Sequence, residues 1–411
     1  MIVIAAAEAL RNLNAPTEGL AELVAAKLAV DNATVKEAAL VALAQFGRAG
    51  YAAAPAVVQR LNDPNETVQL APAAALKDMA PADAAIAQAM AVSLADNKNS
   101  STRLAILTAL AEMGLSAQAS GTAVAAVIEN ADAAQDLRIA GFAVLAKFGA
   151  DPTALACLGR VITEKKNSAS LRAVALLGPS AAGCLEPTRA SLADSSPIVS
   201  VTAASALGEM AAAAKPAVPD LVRMLRSRDL SVYKAAATAV GRIGPDARDA
   251  VPVLAADLSD RSAEIRLAAL AALANFGSEA KSAVPHLTRV LKNDDTALRR
   301  NALVVLAEIG PAAAASTVEV QSLLRDRDPE TRRLAIYALG NVAPAGDAAV
   351  AAVLIGLLKD PATEIRAEAC AGLGRLRSGT ALAPLKEAAG DRSRIVRDAA
   401  EAASLLILRK E

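Results

Sequence analysis

Along the chain a Leu or Val followed three residues later by another apolar side chain returns about every 33 residues, with polar stretches between the returns, a spacing typical of helical repeats. These anchors are Leu10, Leu43, Leu76, Leu110, Leu145, Leu177, Leu207, Val240, Leu273, Leu306, Leu339 and Leu373, with Leu406 one period further on. From Leu43 to Leu373 the steps are nearly equal in length. A unit of that size cannot bury its apolar face alone. The regularity therefore predicts stacked supersecondary units that cover one another.

The clearest copy runs from Asp260 to Asn293 and divides into two apolar-periodic stretches at a Gly. In the first, Ile265, Ala269, Leu270, Leu273 and Phe276 recur at helical spacing and share one face. Asp260 and Ser262 supply polar groups before that helix, and Gly277 stands where a left-handed residue would end it. In the second stretch Val284, Leu287, Val290 and Leu291 form the matching face, and Pro285 falls in the first turn, whose amides need no intrahelical acceptor. The same grammar returns as Gly244-Pro245 before Val251-Pro252, as Val218-Pro219-Asp220-Leu221, and as Gly310-Pro311 before Val318. Strand-like alternation of comparable length is absent, so the chain reads as all-α, about twelve helical hairpins across residues 1–411. Residues 1–31 read as a partial first hairpin and 391–411 as a terminal helix of a single array.

Asp360-Pro361-Ala362-Thr363-Glu364-Ile365-Arg366 with Ala371-Gly372-Leu373-Gly374, and the Val-Pro-x-Leu second helices, resemble the HEAT repeats, in particular the short bacterial kind named after phycobilisome lyases. That resemblance implies a right-handed α-solenoid. Ankyrin repeats share the period but carry Thr-Pro-Leu-His, and this chain has a single His. Tetratricopeptide repeats need Trp and Tyr at fixed places, against no Trp and three Tyr here.

Composition narrows the function. Hydrophobic residues make up 54% of the chain but aromatic ones only 2%, so the core is Ala, Leu, Val and Ile. Lys plus Arg and Asp plus Glu are 43 each. A nucleic-acid binder would show a basic stripe with stacking aromatics, so no nucleic-acid partner is expected. Cys157, Cys184 and Cys370 each sit among helical apolar residues and read as small core side chains. No run of about 20 uncharged apolar residues predicts a membrane span, and Met1 to Ala7 lacks the basic start of a signal peptide. This favours a cytoplasmic location. Ile2, Val3 and Ile4 open the chain without a polar cap, which predicts either a longer solenoid or end-on docking onto a partner through the N-terminal hairpin.

Arg recurs seven residues before the anchor, as Arg103, Arg138, Arg266, Arg299, Arg332 and Arg366, with Asp260, Asp326 and Asp360 six residues before the matching Arg. The expectation is a structural ladder, each Arg pairing with an Asp of its own or the next hairpin; a carboxylate-binding edge is the alternative. The ladder breaks at Lys36, Gln69, Ser170, Ser200 and Tyr233, which predicts a less rigidly stitched N-terminal half. Phe46, Phe148 and Phe276 lie three residues after an anchor, in the slot filled elsewhere by Met79, Met113, Met210, Ile243, Ile309 and Val342, and read as core. Tyr51 falls in an inter-helix turn and is a candidate partner contact. The HEAT resemblance implies that second helices line the binding side. There Asp220, Arg223, Arg226, His286, Arg289, Lys292, Glu319 and Arg325 form a mixed-charge strip, whereas residues 117–128 and 181–193 are smooth and weakly polar.

Catalytic chemistry finds little footing. One His makes neither a paired metal site nor a nucleophile relay. Asp326-Arg327-Asp328-Pro329-Glu330 reads as a helix start, because no Gly follows where a calcium loop needs one. No catalytic residue, metal ligand or cofactor is therefore assigned. The function expected is a non-enzymatic, protein-binding scaffold or docking subunit of a larger bacterial assembly. The alternative, a bilin chromophore lyase or isomerase subunit, needs a reactive group for which Cys157, Cys184 and His286 are poorly placed. A DNA glycosylase of this fold would require a basic, aromatic-bearing surface.

Overall fold

The computed structural model describes residues 18–79, 82–130, 133–149, 152–165 and 168–409. Ile2, Val3, Ile4 and Leu10, with the expected uncapped first hairpin, lie outside the described residues. The chain forms two compact units, Met1–Ala206 and Leu207–Glu411. Every regular element among the described residues is helical, as the hydrophobic period predicts.

One repeat of the second unit shows how the sequence builds the hairpin. The first helix, Leu230–Ile243, starts at Asp229, whose carboxylate accepts the Ser231 and Val232 amides, two of the four that a helix start leaves free. It stops at Gly244, at φ 69° and ψ −137°, a conformation open only to a residue without Cβ. A seven-residue 3-10 segment, Gly244–Ala250, leads into the second helix, Val251–Asp257, with Pro252 in its first turn. The equivalent segments Gly47–Ala53, Gly114–Ser120, Gly178–Cys184, Ala211–Ala217, Gly277–Ala283 and Gly310–Ser316 have the same length. The grammar of Gly, Pro and apolar positions therefore encodes one turn geometry repeatedly. At Ala211 the Gly is missing, yet φ is still 50°, a strained value for a residue with a side chain.

The anchors Leu43, Leu76, Leu110, Leu145, Leu207, Val240, Leu273, Leu306, Leu339 and Leu373 are all fully buried, as are Phe148 and Phe276 in the neighbouring slot. The residue after the anchor lies against the next first helix. A Cβ on Gly241 would stand 3.1 Å from Ala272 Cα, and one on Gly340 would stand 2.9 Å from Gly372 Cα, so these helices meet backbone to backbone.

Two anchors shift. Gly149 and Gly178, both at positive φ, lie closer together in sequence than Gly244 and Gly277 do. The first helix between them, Ser168–Leu177, is correspondingly one turn shorter than Leu230–Ile243. Leu177 consequently occupies the slot of Phe46 and Phe276, and fully buried Val174 is the anchor. In Arg394–Leu408 the shorter step from Asp360 to Asp391 moves the anchor to Ser404, beside Ala403, which packs on Gly374. Leu406 is instead 40% exposed.

By length and composition alone, two helical stretches, Ser168–Ala193 and Thr296–Arg325, would suffice to cross a membrane, although charged residues such as Arg172 and Arg299 interrupt each. Each is a first helix, a 3-10 segment and a second helix joined end to end, broken at Gly178 (φ 55°) or Gly310 (φ 70°). Their apolar character is that of hairpin cores.

Candidate functional site

The turns between hairpins concentrate the polar order of the molecule. Where a second helix ends, an Asp or Asn folds its side chain onto the amide two residues on: Asn65 donates to Asp63 at 3.0 Å, Asn99 to Asn97 at 2.7 Å, Ser262 to Asp260 at 2.7 Å, and Ser393 to Asp391 at 2.7 Å. The residue that donates often caps the next helix, as Asn99, Asp295 and Asp328 do. The ladder residue then closes the turn from within the helix. Arg266, Arg299, Arg332 and Arg366 each donate Nη1 to the backbone carbonyl six residues back, at Asp260, Asn293, Asp326 and Asp360, over 2.8–3.0 Å. Arg138 reaches the Asn130 carbonyl at 2.9 Å.

The expected pairing of Arg with Asp is thus split between backbone and side chain. Within its own hairpin an Arg takes the Asp carbonyl; the carboxylate it reaches belongs to the next hairpin. Arg299 Nη2 donates to Asp326 at 3.1 Å, and Arg366 grips Asp391 with Nε at 2.8 Å and Nη2 at 3.0 Å, a bidentate fit. That grip, with the Ser393 amide, pulls the Asp391 pKa down to about 2. Asp391 and Arg397, which extend the ladder by a further turn, were not singled out by the Arg-to-Leu spacing. The signal that finds them is Asp/Asn-x-polar at the end of each second helix.

Several apparent breaks are substitutions within the same design. Lys36 donates to Asp63 at 2.9 Å, and Gln69 donates to the Asp63 carbonyl at 2.6 Å, the job done elsewhere by Arg. Burial works against the Asp63 charge, but the Asn65 amide, Lys36 and Arg60 together hold its pKa below the usual carboxylate range. Asn97 donates to the Leu61 carbonyl at 2.8 Å. Tyr233, fully buried, donates to Asp257 at 2.8 Å. Burial and that hydrogen bond raise the Tyr233 pKa; burial also raises that of Asp257. Ser200 donates to the Pro197 carbonyl at 3.3 Å, a local bond that stitches no neighbouring hairpin.

The second helices carry the mixed-charge strip at equivalent positions. Asp220, His286 and Glu319 are half-buried on Val218–Met224, Val284–Val290 and Thr317–Ser322, and Arg223, Arg226, Arg289, Lys292 and Arg325 are exposed. Asp220 pairs with Arg223 on the same helix, and Lys292 lies 3.8 Å from Glu319 of the next. His286 Nδ1 is buried without a hydrogen-bond partner. On the intervening helix, Val251–Asp257, the same positions hold Val253 and Ala256, so the strip is two charged patches rather than one line. In the first unit the smooth segment 181–193 and the helix Pro152–Lys165 enclose a groove of about 530 Å³ lined by Pro152, Leu155, Gly159, Gly183 and Pro187, with Arg160 at its rim paired to Glu129. Tyr51 is exposed, and its hydroxyl donates to Asp83, which caps the helix Ala84–Asp96.

The nucleophile inventory is buried. Cys157, Cys184 and Cys370 have no exposed surface, and burial pushes their thiols up to about 12, 11 and 11, with Glu129 adding to the effect at Cys157. Asp328 of the acidic segment 326–330 accepts the Thr331 amide and pairs with Arg300, as a helix start does. Among the described residues no three His, Cys, Asp or Glu side chains converge on a point that could hold a metal ion.

This architecture is that of an all-α solenoid of helical hairpins. In sequence, the HEAT repeats match residues 251–320 and 318–404, so the chain carries HEAT repeats there; the narrower bacterial kind is not distinguished by this match. Among solved structures, Kap121p is similar over 90% of this chain and 48% of its own, with 13% identity and a TM-score of 0.63. Kap121p bound to Nup53p and Kap121p bound to Pho4p are similar at 14% identity and TM-scores of 0.62, over 90% of this chain and 47–48% of theirs. The chain spans about half the length of these structures, and at such identity they share its fold alone. Comparison with curated protein sequences finds no match.

Proposed function

We propose that the protein is a non-enzymatic scaffold or docking subunit of a larger bacterial assembly, binding other proteins through its helix-lined surface. The observation that carries this reading is the division of its chemistry. The groups with shifted pKa values are either buried, as the three thiols and Tyr233 are, or held by a neighbouring group of the chain, as Asp63, Asp328 and Asp391 are in turns, Lys77 and Arg160 are in ion pairs with Glu112 and Glu129, and exposed Tyr51 is by Asp83. Charged groups with free hydrogen-bonding capacity lie outside, on the second helices and the turns. Nucleophilic or acid–base catalysis would need the reverse, a shifted group open to substrate. That Kap121p, which shares this fold, is bound to Nup53p in one structure and to Pho4p in another supports the reading. The bacterial setting rests on the resemblance of residues 360–374 to short bacterial repeats, and end-on docking through the first hairpin is part of the proposal.

The test is affinity capture of the full chain from its native source, with mass spectrometry and an absorbance spectrum of the eluate. A stoichiometric protein partner whose recovery falls on charge reversal at Arg223 and Arg289 is the expected result. A co-purifying visible chromophore without a protein partner would overturn the scaffold in favour of a bilin lyase.

A further inference from the structure

The inter-repeat turns of the second unit carry a charge pattern that the ladder does not explain. Ser227, Asp260, Asp326 and Asp360, whose side chains fold back at the ends of second helices, are flanked by Arg226, Arg228, Arg261, Arg325, Arg327 and Lys359, all exposed. None makes an ion pair with a described residue. The carboxylates of the same turns are occupied: Asp229, Asp260, Asp328 and Asp360 accept backbone amides, and Asp326 accepts both an amide and Arg299. Acids thus face into the turn while cations project from it. Of the corresponding positions in the first unit, Asn62, Pro64, Ala193 and Ser195 around Asp63 and Asp194 carry no charge, and Asp96 and Lys98 around Asn97 carry opposite charges.

We infer that this edge of the second unit binds an extended acidic segment of a partner protein; the inference rests on the scaffold reading and names its partner chemistry. Packed helices stand about 8–10 Å apart, and an extended chain advances about 3.3–3.6 Å per residue, so successive turns match one carboxylate every third residue. The edge is discontinuous: in the turn between Arg261 and Arg325, Lys292 is paired with Glu319 and Asp294 is exposed. A peptide places a neutral residue there. A nucleic-acid backbone, with a charge at every nucleotide, meets Asp294 with a phosphate, and the tyrosines offer it no stacking platform. Tyr233 is buried, Tyr51 is bonded to Asp83, and Tyr337 lies under Arg375, 4.7 Å from the ring centre.

The experiment uses the full chain and a fluorescent peptide with Glu at every third residue between Gly and Ser, read by anisotropy at low and raised salt. Binding that weakens with salt, and roughly tenfold or more on Arg228→Glu, Arg261→Glu and Arg327→Glu together, is expected. The pair Arg248→Glu and Lys281→Glu, exposed on the 3-10 segments of the same unit, leaves this affinity unchanged, which ties binding to the turn edge rather than to the overall charge of the unit. Melting curves check that the triple variant folds, and the corresponding Arg→Gln set, expected to weaken binding less, stands in if it does not. Absence of peptide binding at low salt, equal binding by the triple variant, or tighter binding of a single-stranded oligonucleotide than of the peptide would each overturn the inference. Captured partners can still establish the scaffold in any of these cases.

Discussion

The two units solve the same packing problem with different degrees of repetition. In the second, Gly244, Gly277 and Gly310 follow one another at equal intervals, and Arg266, Arg299, Arg332, Arg366 and Arg397 all close their turns in one way. In the first, the step from Gly149 to Gly178 falls short of that interval, and Lys36, Gln69 and Asn97 improvise the ladder with amine and amide groups. Its surface is correspondingly more apolar: Val41, Leu70, Leu104 and Ile139 on successive first helices are each exposed by about two-fifths, where the second unit has Lys234, Leu267, Arg300, Arg333 and Ala367 at the positions matching Leu70 and its successors. The lesson is that the backbone turn is the invariant. Any donor of suitable length that reaches the carbonyl suffices, and at Arg299 and Arg366 the same side chain also reaches the carboxylate of the next turn.

The sharpest way to break the comparison is through the core. Phe276→Ala in the regular unit is expected to cost about 4 kcal/mol, because backbone-to-backbone helix contacts leave little room for collapse; Phe148→Ala, beside the shortened repeat, is expected to cost about 3 kcal/mol. Urea unfolding followed by hydrogen exchange of each unit checks this, and equal costs would remove the contrast in slack. Asp63→Ala removes the acceptor shared by Lys36, Arg60 and the Asn65 amide, and is expected to cost about 2 kcal/mol, read as lost exchange protection in the first unit. Ala211→Gly relieves the positive φ of 50° and is expected to stabilise by about 1 kcal/mol, with a higher melting temperature.

Asn293→Asp would extend the carboxylate ladder. Arg266 Nε is buried without a partner, and the next turn offers it an amide where Arg299 finds Asp326. The gain expected is about 0.5 kcal/mol, since Asn293 is exposed. The smallest contrast is in acid. Asp391 has its pKa lowered to about 2 in the folded state, so its contribution is present above the ordinary carboxylate pKa and is lost as pH falls from about 4 through 2. Asp328, lowered by Arg300 and Thr331, acts in the same direction. Melting curves between neutral pH and pH 2 are expected to show this loss reduced in Asp391→Asn.

The hairpin was legible in the chain because its signals are local: a positive-φ Gly, a first-turn Pro, an Asp or Ser cap, and apolar residues at helical spacing. Counting forward by a fixed period failed at Leu177 and Leu406, since a fixed period cannot register shortened repeats; the turn motif around Asp391 and the Gly at 178 do register them. The site was less legible. That Asp220 pairs with Arg223 one turn along the same helix face follows from spacing, but the gap at Val253 and Ala256 appears only when equivalent helices are aligned, and Tyr51 meets Asp83 only through the fold.

The sequence by itself determined the all-helical repeat, its core and the turn that joins its parts, because each depends on residues within about one hairpin and on backbone preferences that act locally. Only the tertiary structure decided which carboxylate each ladder cation reaches, that Lys36 and Gln69 complete a turn, and that the cations of the second unit's turns are left facing outward. Those outcomes depend on the stacking of neighbouring hairpins, where a charge finds its partner a whole repeat away along the chain and the nearest group in sequence is taken by a backbone amide.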